Sequence, residues 1–378
     1  MMNSISEPAM DHSATGSQTF ADPRNNPAKE SVVTTESTET KAPKERSYAE
    51  YRQILSSSLA PEVFKANPAR LGWYFSCMAI GIASFVAVVL LNPAWELKLV
   101  AGIVIGLCNG TLGFVCHELG HGSIVKNRKV QNFLGYFGMI PFLVSPTYWK
   151  FSHNRLHHAN AQRLIEDPDA FPNLRIYRAS KFMRFMFPFT PGSGYKRSAF
   201  YFFYWFSFHN IISQLYLRFR NRIFDGMDHK QVSLELGGQI AIVIGLAIFA
   251  GPSNWFFLLL IPLAVQNYML MSYISTNHNL SPLTSENDPL VNSLSVTNHP
   301  VLEFLHLNFG YHVEHHLYPT VNPKHAKAIH YQLVKQFPDL YKIMPKHVAM
   351  KKLYKTARIY KNSRQLVHPE TMEVFDTV

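Results

Sequence analysis

Four stretches of this 378-residue chain, Gly72–Leu91, Leu99–Cys116, Leu236–Ser253 and Asn254–Asn277, contain no Asp, Glu, Lys or Arg. A helix of roughly 20 apolar residues is what crosses a bilayer core of about 30 Å. Lipid offers no partner to an open backbone N–H or C=O, so such stretches fold as helices. The first two are joined around Pro93–Lys98 and the last two turn at Gly251-Pro252. Each pair is a hairpin that returns the chain to the side it left. The expected fold is therefore an all-α integral membrane protein with four transmembrane helices arranged as two hairpins. With 47% apolar and 13% aromatic residues, the composition agrees.

Histidine distribution is the second constraint. Eight of the 18 histidines fall in three short windows: His117 and His121; His153, His157 and His158; His312, His315 and His316. Spacings of three and four place side chains on one helical face. Imidazole nitrogen is a good ligand for iron, zinc, copper or nickel. A ninth, His278, stands at the end of the fourth span, level with the clusters. Nine imidazoles exceed what one ion of four to six ligands can use, so two ions is the natural count. All-nitrogen ligation with open positions suits iron that activates dioxygen.

For the clusters to share a site they must lie on one side of the membrane. Val130–Trp149 and Ser198–Leu217 are also uncharged and nearly long enough to cross. If either crossed, neighbouring clusters would be separated. The first holds Pro141 and Pro146, and the second is crowded with aromatics plus His209, Asn210 and Gln214, which suits an interface. Both are expected to dip into the membrane or lie flat on it. The far-side turns carry only Glu96 and Lys98, while the near side is rich in Lys and Arg. That asymmetry places both termini and the clusters in the cytoplasm. The net charge of +11 thus belongs to membrane loops and not to nucleic acid. Cys77, Cys108 and Cys116 all lie in apolar stretches, which leaves no framework for disulfides or an iron–sulfur cluster.

The expected organisation is a polar, disordered tail over residues 1–45, a membrane domain over 46–325 and basic cytoplasmic helices over 326–378. Helices at Lys324–Met344 and Lys346–Ser363 would cap the site against anionic headgroups.

The order HxxxH, HxxxHH, HxxHH, with one hairpin before the first box and another between the second and third, resembles the membrane fatty acid desaturase and hydroxylase superfamily. The segments His117-Glu-Leu-Gly-His-Gly-Ser123 and Gly310-Tyr-His-Val-Glu-His-His-Leu-Tyr-Pro319 are similar to the boxes of acyl-lipid desaturases. The resemblance implies two non-haem irons held by the eight box histidines, with His278 as the extra ligand that some members carry. It implies dioxygen as co-substrate and introduction of a C=C bond into a fatty acyl chain. Hydroxylation or ketolation by the same boxes is the alternative within the superfamily. His312 stands where front-end members usually have Gln, and neither His299-Pro nor His368-Pro is followed by the glycines of a haem motif. Electrons would therefore come from a separate ferredoxin or cytochrome with its reductase. Glu118, Asp167, Asp169 and Glu314 are candidates to orient imidazoles by accepting their free N–H. Asn277 and Asn308 are candidates to hold a metal-bound water.

Two rival readings use the same letters. His117-Glu118-Leu-Gly-His121 also fits the HExxH helix of zinc proteases. The distant Asp-Gly that membrane proteases need occurs only as Asp225-Gly226, in a basic loop. A metal transporter would place ionisable groups inside the spans, and these spans contain none. An apolar tunnel for the acyl chain is expected between the span ends and the cap, lined by aromatics of Ser198–Leu217 and residues of Asn254–Asn277.

Overall fold

The computed structural model describes residues 46–378. The expected polar tail, residues 1–45, lies outside the described residues. Four helices are long and apolar enough to cross a membrane: Pro68–Leu91, Trp95–Gly120, His229–Ala250 and Phe256–His278. They are taken as spans one to four. The second runs one turn beyond its uncharged stretch, to Gly120, and so carries His117 on its end. The third starts at His229, because Asp228 caps it by accepting from Gln231 N at 2.9 Å. Glu235 is thereby part of the third helix.

Span two is the centre of the bundle, packing against spans one and four. Its face toward span four is a stripe of small residues, Gly102, Gly106 and Gly110. A Cβ at Gly106 would lie 2.6 Å from Val265 Cβ, and one at Gly110 would lie 2.5 Å from Met269 Sδ. Such close approach is what holds helices together where lipid removes the hydrophobic driving force. At the far ends all four spans meet through Phe85, Val88, Ile105, Ala250 and Leu258. There Lys98 Nζ donates to Asn92 Oδ1 (2.6 Å) and Asn254 Oδ1 (2.9 Å), tying the two far turns together.

Toward the other end, spans three and four are held apart. The uncharged stretch before the second box is broken into a helix Arg128–Gly138, a tight turn Ile140–Phe142 and a short helix Pro146–Trp149. Span three packs on the last two pieces, and span four packs on the helix Tyr201–Leu215. Polar side chains satisfy the broken backbone. Gln266 Nε2 donates to Pro141 O (2.6 Å), Gln214 Nε2 to Leu143 O (2.8 Å), and Gln239 Nε2 to Val144 O (3.0 Å) and Tyr136 O (3.1 Å). Glu235 accepts from Ser145 Oγ and from Thr147 N. An irregular backbone at membrane depth persists only where protein supplies such partners.

The amphipathic segment before span one folds back on the cap: Tyr51, Leu55, Leu59 and Val63 pack with Val313, Leu317, Ile329 and Leu333. The carboxy-terminal region is less helical than expected. Its helices run Ala326–Gln336 and Lys346–Lys355. Pro338 and Pro345 cannot donate to a helical ladder and bound the segment between them. Ile343–Pro345 instead pairs in parallel with Ser295–Thr297, and Gln365–Val367 pairs antiparallel with Val374–Asp376.

Candidate metal centre

The three boxes and His278 reach one place from different elements. His117 and His121 lie one turn apart where span two ends. The second box sits on a wide π-helical turn, Lys150–His157, continued by His158–Asn160. That winding changes the expected register. With more residues per turn, His153 and His158, five apart, share a face while His157 turns to another. The third box is a short helix, His312–Leu317, whose start is capped from outside. Ser295 Oγ accepts from His312 N and Val313 N, both at 3.0 Å.

The result is two adjoining clusters. His117, His121, His153, His158 and His315 form one; His157, His278, His312 and His316 form the other, with ring nitrogens in each cluster within 4.8 Å of one another. Nε2 faces Nε2 at 3.0 Å between His117 and His153, at 3.1 Å between His315 and His158, and at 2.6 Å between His312 and His278. Pairs this close are held either by one ring's N–H donating to the other's lone pair or by a cation lying between them. Trp149 packs against His117, His121 and His153 with ring centroids 5.5, 5.3 and 4.6 Å away, and Phe309 lies 5.0 Å from His117.

Burial and neighbouring imidazoles push the protonation of His121, His153, His158, His312 and His316 well below the ordinary range. Neutral rings with free lone pairs are the form that binds a metal. The Nε2 atom of His121 and the Nδ1 atoms of His312 and His316 are buried with no hydrogen-bond partner among the described residues. His157 differs. Burial opposes its protonation, but the Asp167 carboxylate, 2.9 Å from Nδ1, outweighs it and pushes the ring up to about 9. With one proton held on Nδ1 by the carboxylate, the proton that an incoming cation displaces is the one on Nε2, which then becomes the donor atom. These residues fit a pair of nitrogen-liking transition-metal ions.

The carboxylate candidates separate cleanly. Asp167 is on His157, and Asp169 Oδ2 lies 3.6 Å from the same nitrogen. Glu118 is elsewhere: it accepts from Asn322 Nδ2 (2.6 Å) and pairs with Arg70 Nε at 3.4 Å. So engaged, it is not available as the base that an HExxH protease requires. Glu314 faces away from the rings, accepting from Ser295 Oγ (2.6 Å) and Tyr341 OH. On a helix, the residue beside a ligand points off the ligand face, which is why both glutamates miss the imidazoles. Asn277 is fully buried, and neither of its amide atoms has a partner among the described residues. Asn308, in the left-handed region at φ 59°, donates to Pro323 O instead. Ser295 was not apparent from sequence, since its capping role depends on a contact 17 residues away.

A cavity of about 290 Å³ adjoins the histidines, and His117, His153, His157, His278 and His312 form part of its wall. Gly113 of span two, Leu270 of span four and Met139 and Phe142 of the broken stretch line one part of it; Met183, Phe187 and Thr190 of the loop after the second box and Ile359 of the carboxy-terminal region line another. Tyr201, Trp205 and Phe206 of the interfacial helix and Met271 and Ile274 of span four complete it, where a tunnel was expected.

Comparison with known proteins bears on what such a site belongs to. Residues 93–347 match the family described as Fatty acid desaturase. The chain is 30% identical over 121 residues to an sn-1 acyl-lipid omega-3 desaturase (ferredoxin) of Synechocystis sp., a match covering 32% of this chain and 33% of that one. It is 23% identical over 304 residues to a Delta(8)-fatty-acid desaturase of Euglena gracilis, covering 75% and 71% of the two chains. An sn-1 oleoyl-lipid 12-desaturase of Anabaena variabilis is 27% identical over 136 residues, covering 34% and 38%. The matches thus span about a third of the first and third relatives' lengths and most of the second. With that match running from the first hairpin through the third box, this four-span, histidine-lined chain belongs to the fatty acid desaturase family.

Proposed function

We propose that this chain desaturates a fatty acyl chain, using dioxygen and electrons from a separate carrier, with its histidine boxes on the cytoplasmic face. The observation that carries the reading is an apolar cavity whose wall includes ring nitrogens from both histidine clusters. His117, His121, His153, His158 and His315 would hold one iron, and His157, His278, His312 and His316 the other. Bound there, two irons supply the redox chemistry that removes hydrogen from an unactivated methylene, which no side-chain acid or base can do.

The chain's own residues do the rest. Asp167 keeps the His157 proton on Nδ1. Trp149 and Phe309 close the first cluster against water. Exclusion of water strengthens each polar contact inside and protects the reactive site. The methionines and aromatics of the cavity hold the chain extended past the imidazoles, and proximity converts a random encounter into a fixed geometry. In the balanced reaction the acyl chain loses two hydrogens. Dioxygen takes these with two further electrons and two protons, and leaves as two waters. Relatives' names include a ferredoxin-linked enzyme, and the basic near-side loops of this chain suit an acidic carrier of that kind.

The names of the relatives count the double bond from either end of the acyl chain, omega-3 from the methyl end and Delta(8) from the carboxyl end. The test is expression in a host without polyunsaturated lipids, with fatty acid profiling and elemental analysis of purified protein. New double bonds together with about two irons per chain are expected. A single zinc, or an unchanged lipid profile with a donor system present, overturns the reading.

A further inference from the structure

The segment after Lys355 lies beyond the matched residues, yet it forms part of the cavity wall through Arg358 and Ile359. It is held firmly. A Cβ at Gly192 would lie 1.8 Å from Thr356 O, Tyr360 OH donates to Ser281 O at 2.6 Å, and Val367 is fully buried. Arg358 itself is 1% exposed. Its Nε and Nη2 donate to Thr356 O (3.2 and 2.6 Å), Nη2 also to Thr356 Oγ1, and Nη1 to Asn279 O. Of the five N–H groups of a guanidinium this leaves one, on Nη1, uncommitted. No carboxylate pairs with Arg358 among the described residues; Asp169, which shares the cavity, sits on His157. Burial pushes the guanidinium down to about 10, so it stays charged at neutral pH.

Carbonyl dipoles of Thr356 and Asn279 hold the buried guanidinium, and its remaining N–H and its unpaired positive charge are left for an oxygen of a ligand in the cavity. The cavity's composition indicates which end of a ligand supplies it. Gly113, Met139, Phe142 and Leu270 form an apolar part of its lining, whereas Asp169, Thr190 and Arg358, with Ser152, His209 and Asn210, supply its polar groups. An amphiphile bound here lays its methyl end against the apolar part and turns its oxygens toward the polar groups, among them Arg358. Asn279, whose carbonyl accepts from Arg358, follows His278 directly in the chain.

We propose that Arg358 binds the carbonyl or carboxyl oxygen of the acyl substrate, so that the double bond is placed by counting from the carboxyl end. This rests on the desaturase reading above. The shared chemistry is the acyl oxygen, present in a lipid ester, a thioester and a free acid alike.

The test is a length series. The unaltered protein is expressed in a host lacking polyunsaturated lipids, fed saturated and monounsaturated acids of increasing length, and double bonds are located by mass spectrometry. The expected result is a bond at a constant distance from the carboxyl carbon. A constant distance from the methyl end overturns the assignment and leaves the desaturase reading intact; no new double bond at any length overturns both. In purified enzyme, Arg358→Gln is expected to raise KM about tenfold with kcat within about twofold, and to scatter the bond over neighbouring carbons. Arg358→Lys should restore the position. Running acyl phospholipid vesicles and acyl-coenzyme A side by side identifies the carrier. An Arg358→Gln enzyme with unchanged KM and unchanged position refutes the role, and where that variant fails to accumulate the length series decides alone.

Discussion

Replacing Asp167 by Asn isolates what one negative charge contributes to the metal site. Asp167 Oδ1 lies 2.9 Å from His157 Nδ1, with both side chains 2% exposed. A hydrogen bond involving a charged group contributes about 1.5–3 kcal/mol, roughly twice a neutral one. Asn keeps an acceptor in the same place, so the loss is the charged half, about 1–1.5 kcal/mol, or roughly tenfold in affinity for the ion on His157. Asp167→Ala removes the whole contact and should reach about a hundredfold, the upper range for loss of a group that orients a metal ligand. The assay titrates metal from purified protein with a chelator, following metal content and turnover together. Asp167 also accepts from Gln162 N (2.8 Å) and Asp169 N (3.0 Å), so thermal unfolding is measured in parallel to separate loop damage from metal loss. Equal metal retention in Asn, Ala and unaltered protein would refute the reasoning, because the charge would then do nothing for His157.

Further outcomes follow from other contacts. Gly113→Leu should shift product toward shorter acyl chains in the same lipid profile, since a Cβ there already lies 3.0 Å from Leu270 Cδ2 and Phe142 Cζ at the span side of the cavity. Ser295→Ala should destabilise the third box by about 1 kcal/mol and lower metal content, with Ser295→Thr restoring it, as read by unfolding and elemental analysis. Metal-free protein should lose stability as pH falls. Burial holds His121, His153, His158, His312, His315 and His316 below the unfolded value of about 6.5, so the unfolded chain binds more protons and stability, full above that value, drains away beneath it. His157, raised to about 9, acts in the opposite sense and is lost as pH rises through that value, leaving the optimum between. Unfolding midpoints measured from pH 5 to 10 check both limbs.

What sequence made legible was whatever is local. A box is five or six residues long, and an uncharged span declares itself over one helix, so the spans and the nine histidines could be read without coordinates. The division of those histidines between clusters could not. It depends on the π winding at Lys150–His157, which no spacing announces. Carboxylates proved legible only where a loop frees them to turn back: Asp167 reaches His157, while Glu118 and Glu314 are carried off by their own helices. The three-residue strand Ser295–Thr297 has too few positions to show alternation, and its partner lies 48 residues on, at Ile343. Arg358 was likewise hidden, as one more basic residue in a basic region.

The break at 139–147 has a consequence for how the protein is made. Its exposed carbonyls are answered by Gln214, Gln239 and Gln266, residues that leave the ribosome long after it. Until those side chains arrive the break has no tolerable position in the apolar layer, so it must wait at the headgroups. The two histidine clusters, which also need His278, His312, His315 and His316, therefore come together only once the second hairpin has been made. A metal ion held by both clusters would then be taken up late, after the last span is in place.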